Sequence, residues 1–230
     1  MSRSPECSGG AAKDQVMNSL LKPEILVYNS YANVVKKNAP AIHLLDIRWL
    51  MRVVSIVGMA GAGKSEVARV FEKHGFERVR FGDITDEEIK NRGLELNEEN
   101  ERYVRQQLRK EHGMAAYAKL NLPRIDSSLK SSDVVVDGLY SWEEYTLLKE
   151  CYDERFSTVA VWAPPATRHE RLANRVARPL TPEEAASRDR AEIENSNKGG
   201  PIAMADFTII NEASLEELER ETERVLSMLK

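Results

Sequence analysis

The run Gly58-Met59-Ala60-Gly61-Ala62-Gly63-Lys64-Ser65 constrains this chain more than any other feature. It is a complete G-x-x-x-x-G-K-[ST] phosphate-binding loop. Before it lies Val53-Val54-Ser55-Ile56-Val57, a short apolar, β-branched run that reads as a buried strand. After it, Glu66 to Lys73 places apolar residues at helical spacing. In a strand–loop–helix unit the glycines let backbone N–H groups converge on phosphate oxygens, and the helix N-terminus adds partial positive charge. Lys64 is then placed to reach the outer phosphates, and the Ser65 hydroxyl suits Mg²⁺. The spacing is not G-x-G-x-x-G, and a dinucleotide fold would leave Lys64-Ser65 unexplained.

From Met51 onward strand and helix signals alternate, which implies a parallel α/β sheet covered by helices on both faces. The strand candidates are Arg52–Val57, Glu77–Phe81, Asp133–Val136, Ser157–Trp162 and Phe207–Ile210. Capping signals open three helices: Ser141-x-x-Glu144, Thr181-Pro182-Glu183-Glu184 and Ser214-x-x-Glu217. Residues 1–50 differ. Met1 to Lys13 is small and polar and reads as disordered. Met51 falls directly before the first strand, so residues 1–50 are expected to be an upstream segment or weakly ordered extension, with a small interaction arm as the alternative. Residues 51–230 are expected to form one domain.

The net charge of -4 argues against general nucleic-acid binding. Only Cys7 and Cys151 occur, which fits a reducing cytoplasm rather than a disulfide or zinc framework. No stretch approaches the ~20 apolar residues of a membrane span, and the N-terminus lacks a signal peptide's apolar core. A cytoplasmic location is expected, and the sequence sets no oligomeric state.

Ligands of such sheets bind beyond the strands' C-terminal ends, where the informative residues fall. Val134-Val135-Val136 ends in Asp137-Gly138, and Asp137 reads as a Mg²⁺ carboxylate or as the cap of a turn. Asp83 follows Phe81-Gly82 and reads as an acceptor-side carboxylate, as a helix N-cap, or as both. Arg102, Arg105 and Arg109 share one helix face. Interleaved acids favour a solvated face, and an anion-recognition surface is the alternative. Arg171, Arg175, Arg178, Arg188 and Arg190 surround a segment that reads as a closing flap, with Arg171, Arg175 and Arg188 the expected phosphate ligands. His74 reads as an ordinary helix C-terminal residue, and Trp142 and Trp162 are expected in the core.

Together these residues resemble the nucleotide-kinase branch of the phosphate-loop NTPases, over Met51 to Lys230. Gly82-Asp83, Asp137-Gly138-Leu139-Tyr140 and Arg171-Leu172-x-x-Arg175 look like adenylate kinase motifs. Leu180-Thr181-x-Glu183-Glu184-Ala185 with Arg188, Ala205 to Asn211, and Ser214 to Leu218 look closer to dephospho-coenzyme-A kinases. The nearest likeness is to a prokaryotic group of kinase-like ATPases. The resemblance implies a three-layer α/β/α fold with a five-stranded parallel sheet of order 2-3-1-4-5, a helical substrate insertion and a lid at about 171–200. It also implies ATP and Mg²⁺ as cofactors, and it carries the role of base for the acceptor hydroxyl onto Asp83. Two departures stand out. Asp86 and Ser141 occupy positions where adenylate kinases carry arginines for the acceptor phosphate. The expected activity is phosphoryl transfer from ATP to a small nucleotide-like acceptor. The alternative is an ATP-hydrolysing switch or assembly factor that acts with a protein or RNA partner.

Overall fold

A computed structural model describes residues 51–176 and 179–229. The expected N-terminal extension and Arg178 lie outside these residues. β1 (Val53–Val57), β2 (Glu77–Arg80), β3 (Val134–Asp137), β4 (Phe156–Trp162) and β5 (Phe207–Ile210) form one parallel sheet in the order β2-β3-β1-β4-β5. This is the expected order. The burial pattern explains why these runs become strands there. β1 and β3 are buried along their whole length and are apolar except for Ser55 and Asp137, as strands covered on both faces must be. The edge strands β2 and β5 mix buried and exposed positions.

Two aspartates set the sheet's alignment at its N-terminal end. Asp133, just before β3, accepts a hydrogen bond from the Arg52 N–H at 2.6 Å, and Asp206, just before β5, accepts from the Thr158 N–H at 2.7 Å.

On one face, α1 (Lys64–Lys73) and α9 (Leu215–Met228) bury Val67, Phe71, Leu218 and Val225 against Val54, Ile56 and Val159. Helix α1 ends at His74 and Gly75 (φ +90°), where the His74 ring contacts the Val70 carbonyl at 2.9 Å. The left-handed glycine lets the Phe76 N–H reach back to the Phe71 carbonyl at 3.1 Å. The helices α2 (Asp83–Asn91), α3 (Glu98–His112) and α4 (Ala116–Ser128) form the insertion between β2 and β3. After β3 come α5 (Trp142–Tyr152), a 3₁₀ turn and β4, then α6 (Pro165–Ala173), α7 (Pro182–Glu194) and α8 (Gly199–Ala203) before β5.

The three capping signals work as read. Ser141, Thr181 and Ser214 each accept from the backbone N–H three residues on, and Thr181 with Glu184 forms a reciprocal box. The tryptophans correct the sequence reading. Trp142 is 37% exposed and Trp162 is 43% exposed. Position outweighs residue type: Trp142 is the first residue of α5 and stacks on Tyr145, with ring centroids 5.2 Å apart. Trp162 ends β4 on the side opposite buried Val161. Among the described residues no helix is long and apolar enough to cross a membrane.

Candidate active site

The chain leaves β1 toward one edge of the sheet and later crosses back over β1 to reach β4. Connections therefore diverge at the C-terminal end of β1, which is where a crevice opens. The phosphate-binding loop fills that position. Gly58, Gly61 and Gly63 all have positive φ, at +151°, +80° and +104°. Two of them also allow close backbone approach: a Cβ on Gly58 would stand 2.3 Å from the Val161 carbonyl oxygen, and one on Gly61 2.6 Å from that of Arg168.

Lys64 donates to the Gly58 and Met59 carbonyls at 2.8 and 3.0 Å, so its ammonium lies inside the loop. Burial pulls this ammonium down to about 7, and the neighbouring Lys198 adds to the fall. Ser65 Oγ lies 3.3 Å from the Asp137 carboxylate at the end of β3. Arg78 of β2 pairs with the same carboxylate and with Glu72 at 3.1 Å.

The loop is held from behind by two residues. Asn211, just past β5, donates its side-chain amide to the Ala62 carbonyl at 2.8 Å. Arg168 of α6 is buried and donates to the Ala60 and Ala163 carbonyls at 3.1 Å each, and grips Asp189 of α7 in two bonds of 2.7 Å. His169 contacts Asp189 at 2.9 Å as well.

Two cavities flank Lys64 and Ser65. One, of about 360 Å³, runs from the loop between Arg171, Arg175, Asn211 and Leu215. The other, of about 130 Å³, lies between the loop, Asp137, Tyr140 and the residues Arg175, Arg188 and Lys198. Arg171 donates to the Asn211 carbonyl at 3.0 Å. Arg175 lines both cavities; burial, then repulsion from Arg188, lowers its pKa. Lys64, Ser65, Asp137, Arg171, Arg175 and Arg188 thus converge from separate segments on one crevice.

The remaining expected residues fare differently. Asp83 is the first residue of α2, with Gly82 as the cap residue, so the N-cap reading does not hold. Its carboxylate is 38% exposed and pairs with Arg80 at 3.1 Å, beside the smaller cavity's rim at Arg80 and Gly82. Arg102 is exposed, Arg105 pairs with Glu101 at 3.1 Å, and Arg109 turns over the Tyr117 ring at 5.8 Å. None of the three lines either cavity. Ser141 is occupied as the α5 cap and donates to the Met114 carbonyl at 2.9 Å.

Sequence reasoning missed Lys198, Glu192 and Arg80, which line the smaller cavity together with Tyr140. Lys198 donates to Glu192 at 2.8 Å, and its ammonium lies 5.1 Å from the centre of the Tyr140 ring. Burial pushes the Glu192 carboxyl up, but Lys198, Lys64 and Arg188 more than offset this and hold it down at about 2. Burial pushes the Glu144 carboxyl up to about 7 behind this wall, where it accepts from the Tyr140 N–H at 2.8 Å.

With this geometry in place, comparison with known proteins gives the family. UPF0200 protein TK1334 of Thermococcus kodakarensis is 42% identical over 178 residues, covering 76% of this chain and 96% of that protein. The UPF0200 protein of Thermococcus gammatolerans is 40% identical over 181 residues, or 77% and 95% of the two chains. The chain belongs to the UPF0200 family. A family model described as an AAA domain matches residues 54–195, from β1 to just past α7. Among solved structures, a gluconokinase from Sinorhizobium meliloti covers 77% of this UPF0200 chain and 93% of its own, with a TM-score of 0.50 at 17% identity. A shikimate kinase from Bacteroides thetaiotaomicron covers 78% and 98%, with a TM-score of 0.51 at 14% identity. The UPF0200 chain thus has the phosphate-loop, kinase-like fold that its motifs resemble.

Proposed function

We propose that residues 51–230 form a cytoplasmic, ATP- and Mg²⁺-dependent phosphotransferase for a small nucleotide-like acceptor, of the dephospho-coenzyme-A kinase or nucleotide kinase type. The observation that carries this reading is the convergence of Lys64, Ser65 and Asp137 with Arg175 and Arg188 on one small cavity. In-line phosphoryl transfer needs positioning and charge neutralisation more than covalent chemistry, and this set supplies both.

In this reading the loop from Gly58 to Ser65 holds the phosphates, and the larger cavity beside Arg171 and Asn211 receives the nucleoside. Lys64 leaves its two loop carbonyls for phosphate oxygens. Ser65 and Asp137 would hold Mg²⁺. Their approach to 3.3 Å fits the ion, and Asp137 is mostly buried at the crevice floor. Mg²⁺ keeps waters and substrate phosphates and takes only one or two protein ligands, so this pair would suffice. When bound, Mg²⁺ supplies charge neutralisation on the outer phosphates. Arg171, Arg175 and Arg188 close over the donor, and Asp83 orients the acceptor hydroxyl and takes its proton.

Lys64→Ala is expected to cut ADP release from ATP by at least ~100-fold, as loss of a key charge-stabilising group does, while circular dichroism and thermal unfolding stay those of a folded chain. Unchanged turnover sinks the assignment. A switch or assembly factor with a macromolecular partner is the second reading. It is favoured by Asp86 at an expected arginine position and by Ser141 being occupied as a helix cap. ADP release that responds to a macromolecular fraction and to no small acceptor supports it.

A further inference from the structure

The end of α7 and the turn before α8 carry a charge pair that the proposed mechanism has not used. Lys198 precedes α8 and is only 1% exposed, yet it lines the cavity that Lys64, Asp137 and Arg188 also line. It donates to Glu192 at 2.8 Å, and Glu192 also accepts from Arg188 at 3.4 Å. The turn itself is fixed, because the Lys198 N–H bonds the Glu192 carbonyl at 3.2 Å. Opposite, the Tyr140 ring presents a face to the ammonium, and Tyr140 belongs to the loop that follows Asp137.

A purely structural ion pair makes poor sense here. Burying an ammonium is costly, and an apolar pair of similar volume generally serves stability as well or better. The lining is also strongly basic: Lys64, Arg80, Arg175, Arg188 and Lys198 share the cavity with the carboxylates of Asp137 and Glu192, and Asp137 pairs with Arg78. A cavity wall this rich in basic side chains, at the mouth of a phosphate loop, makes a site for an anion.

We propose that Lys198 is a second phosphate-binding lysine, which contacts the transferred phosphoryl group together with Lys64, with Glu192 and the Tyr140 ring as positioning groups. This rests on the phosphotransferase reading above. During transfer the bond from the γ-phosphorus to the bridging oxygen breaks, and ADP keeps the electron pair. A bond from the γ-phosphorus to the acceptor oxygen forms, and the acceptor proton leaves to Asp83, or to solvent when water is the acceptor. Lys198 neither gives nor takes a proton. Its ammonium offsets negative charge on the phosphoryl oxygens, and Glu192 holds it in place between turnovers.

The test uses the full chain with Lys198→Met and the double variant Lys198→Met/Glu192→Gln, which removes both charges and leaves no stranded carboxylate. Two probes separate the roles: ADP alone, which lacks the transferred group, and ADP with aluminium fluoride, which occupies its place. In the double variant ADP affinity is expected to stay within about threefold. Aluminium fluoride-dependent affinity and ADP release from ATP are expected to fall ~100-fold, the usual loss for one charge-stabilising donor. Full recovery of both in the double variant, relative to Lys198→Met, would mean that the pair is structural and overturns the proposal. So does a parallel loss of ADP binding. Lys64→Ala run alongside tells the two failures apart. If it too leaves ADP release intact, the phosphotransferase reading fails; if it abolishes release while the double variant does not, only the role of Lys198 fails.

Discussion

Replacing Gly63 by alanine tests the loop's anchoring in a way that can be worked through beforehand. Gly63 has φ +104°, and a Cβ there would stand 2.2 Å from the Asn211 side-chain nitrogen. Two costs follow. The left-handed backbone costs an L-residue roughly 1–2 kcal/mol. Pushing Asn211 away breaks its 2.8 Å bond to the Ala62 carbonyl and strands a buried acceptor, worth about 1–3 kcal/mol. The total is about 3 kcal/mol, or ~6–12 °C in Tm for a chain of this size. The two costs separate in a double-mutant cycle. In an Asn211→Ala background the clash is already gone, so Gly63→Ala is expected to cost only the backbone part, leaving a coupling of about 1–2 kcal/mol. Urea denaturation of the four proteins measures it. Additive effects within ~0.5 kcal/mol would refute the claim that Asn211 and Gly63 form one contact. Nucleotide affinity is expected to fall in both single variants, since each disturbs the loop that carries Lys64.

Two further expectations concern charge. The Lys64 ammonium lies near 7, and a neighbouring phosphate raises it. Binding of ADP above that pH therefore takes up a proton, and affinity is expected to fall ~tenfold per pH unit between about 7 and 9. Calorimetry in buffers of different ionisation enthalpy reads the proton directly, and a flat affinity without proton uptake refutes the assignment. Arg168→Met leaves Asp189 without its bidentate partner and the Ala60 and Ala163 carbonyls without a donor. A cost of ~3–5 kcal/mol is expected in urea denaturation, partly recovered by Asp189→Asn; a loss under about 1 kcal/mol contradicts the network.

The phosphate loop was legible because its function needs consecutive residues: three glycines, a lysine and a serine within one short run. Asp137 was legible for a related reason, as a carboxylate that ends an apolar strand in a fold whose ligands gather at strand ends. The contacts that were missed act through space instead. Asn211 and Ala62 are 149 positions apart when they meet, and no local pattern signals that Arg78 pairs with Asp137. Lys198 and Glu192 are close in sequence, but their significance depends on both lining the same cavity as Lys64 and Asp137. The tryptophans were misread because hydrophobicity was weighed without position: a helix's first residue and a strand's outward end leave even a large ring partly in solvent. Asp83 shows the opposite case. Its placement at the start of α2 was legible, and its partner Arg80 was not.

The aspartates that precede β3 and β5 have a consequence for how such a chain can change. Each receives the N–H of the residue directly across from it, Arg52 for Asp133 and Thr158 for Asp206. A slip of one residue would break these bonds and move every side chain to the other face of the sheet. The frame is thus fastened at the end remote from the ligands. Loops at the opposite end are free to lengthen, shorten or exchange residues without disturbing strand alignment, so a new ligand preference can arise there while the framework stays as it is.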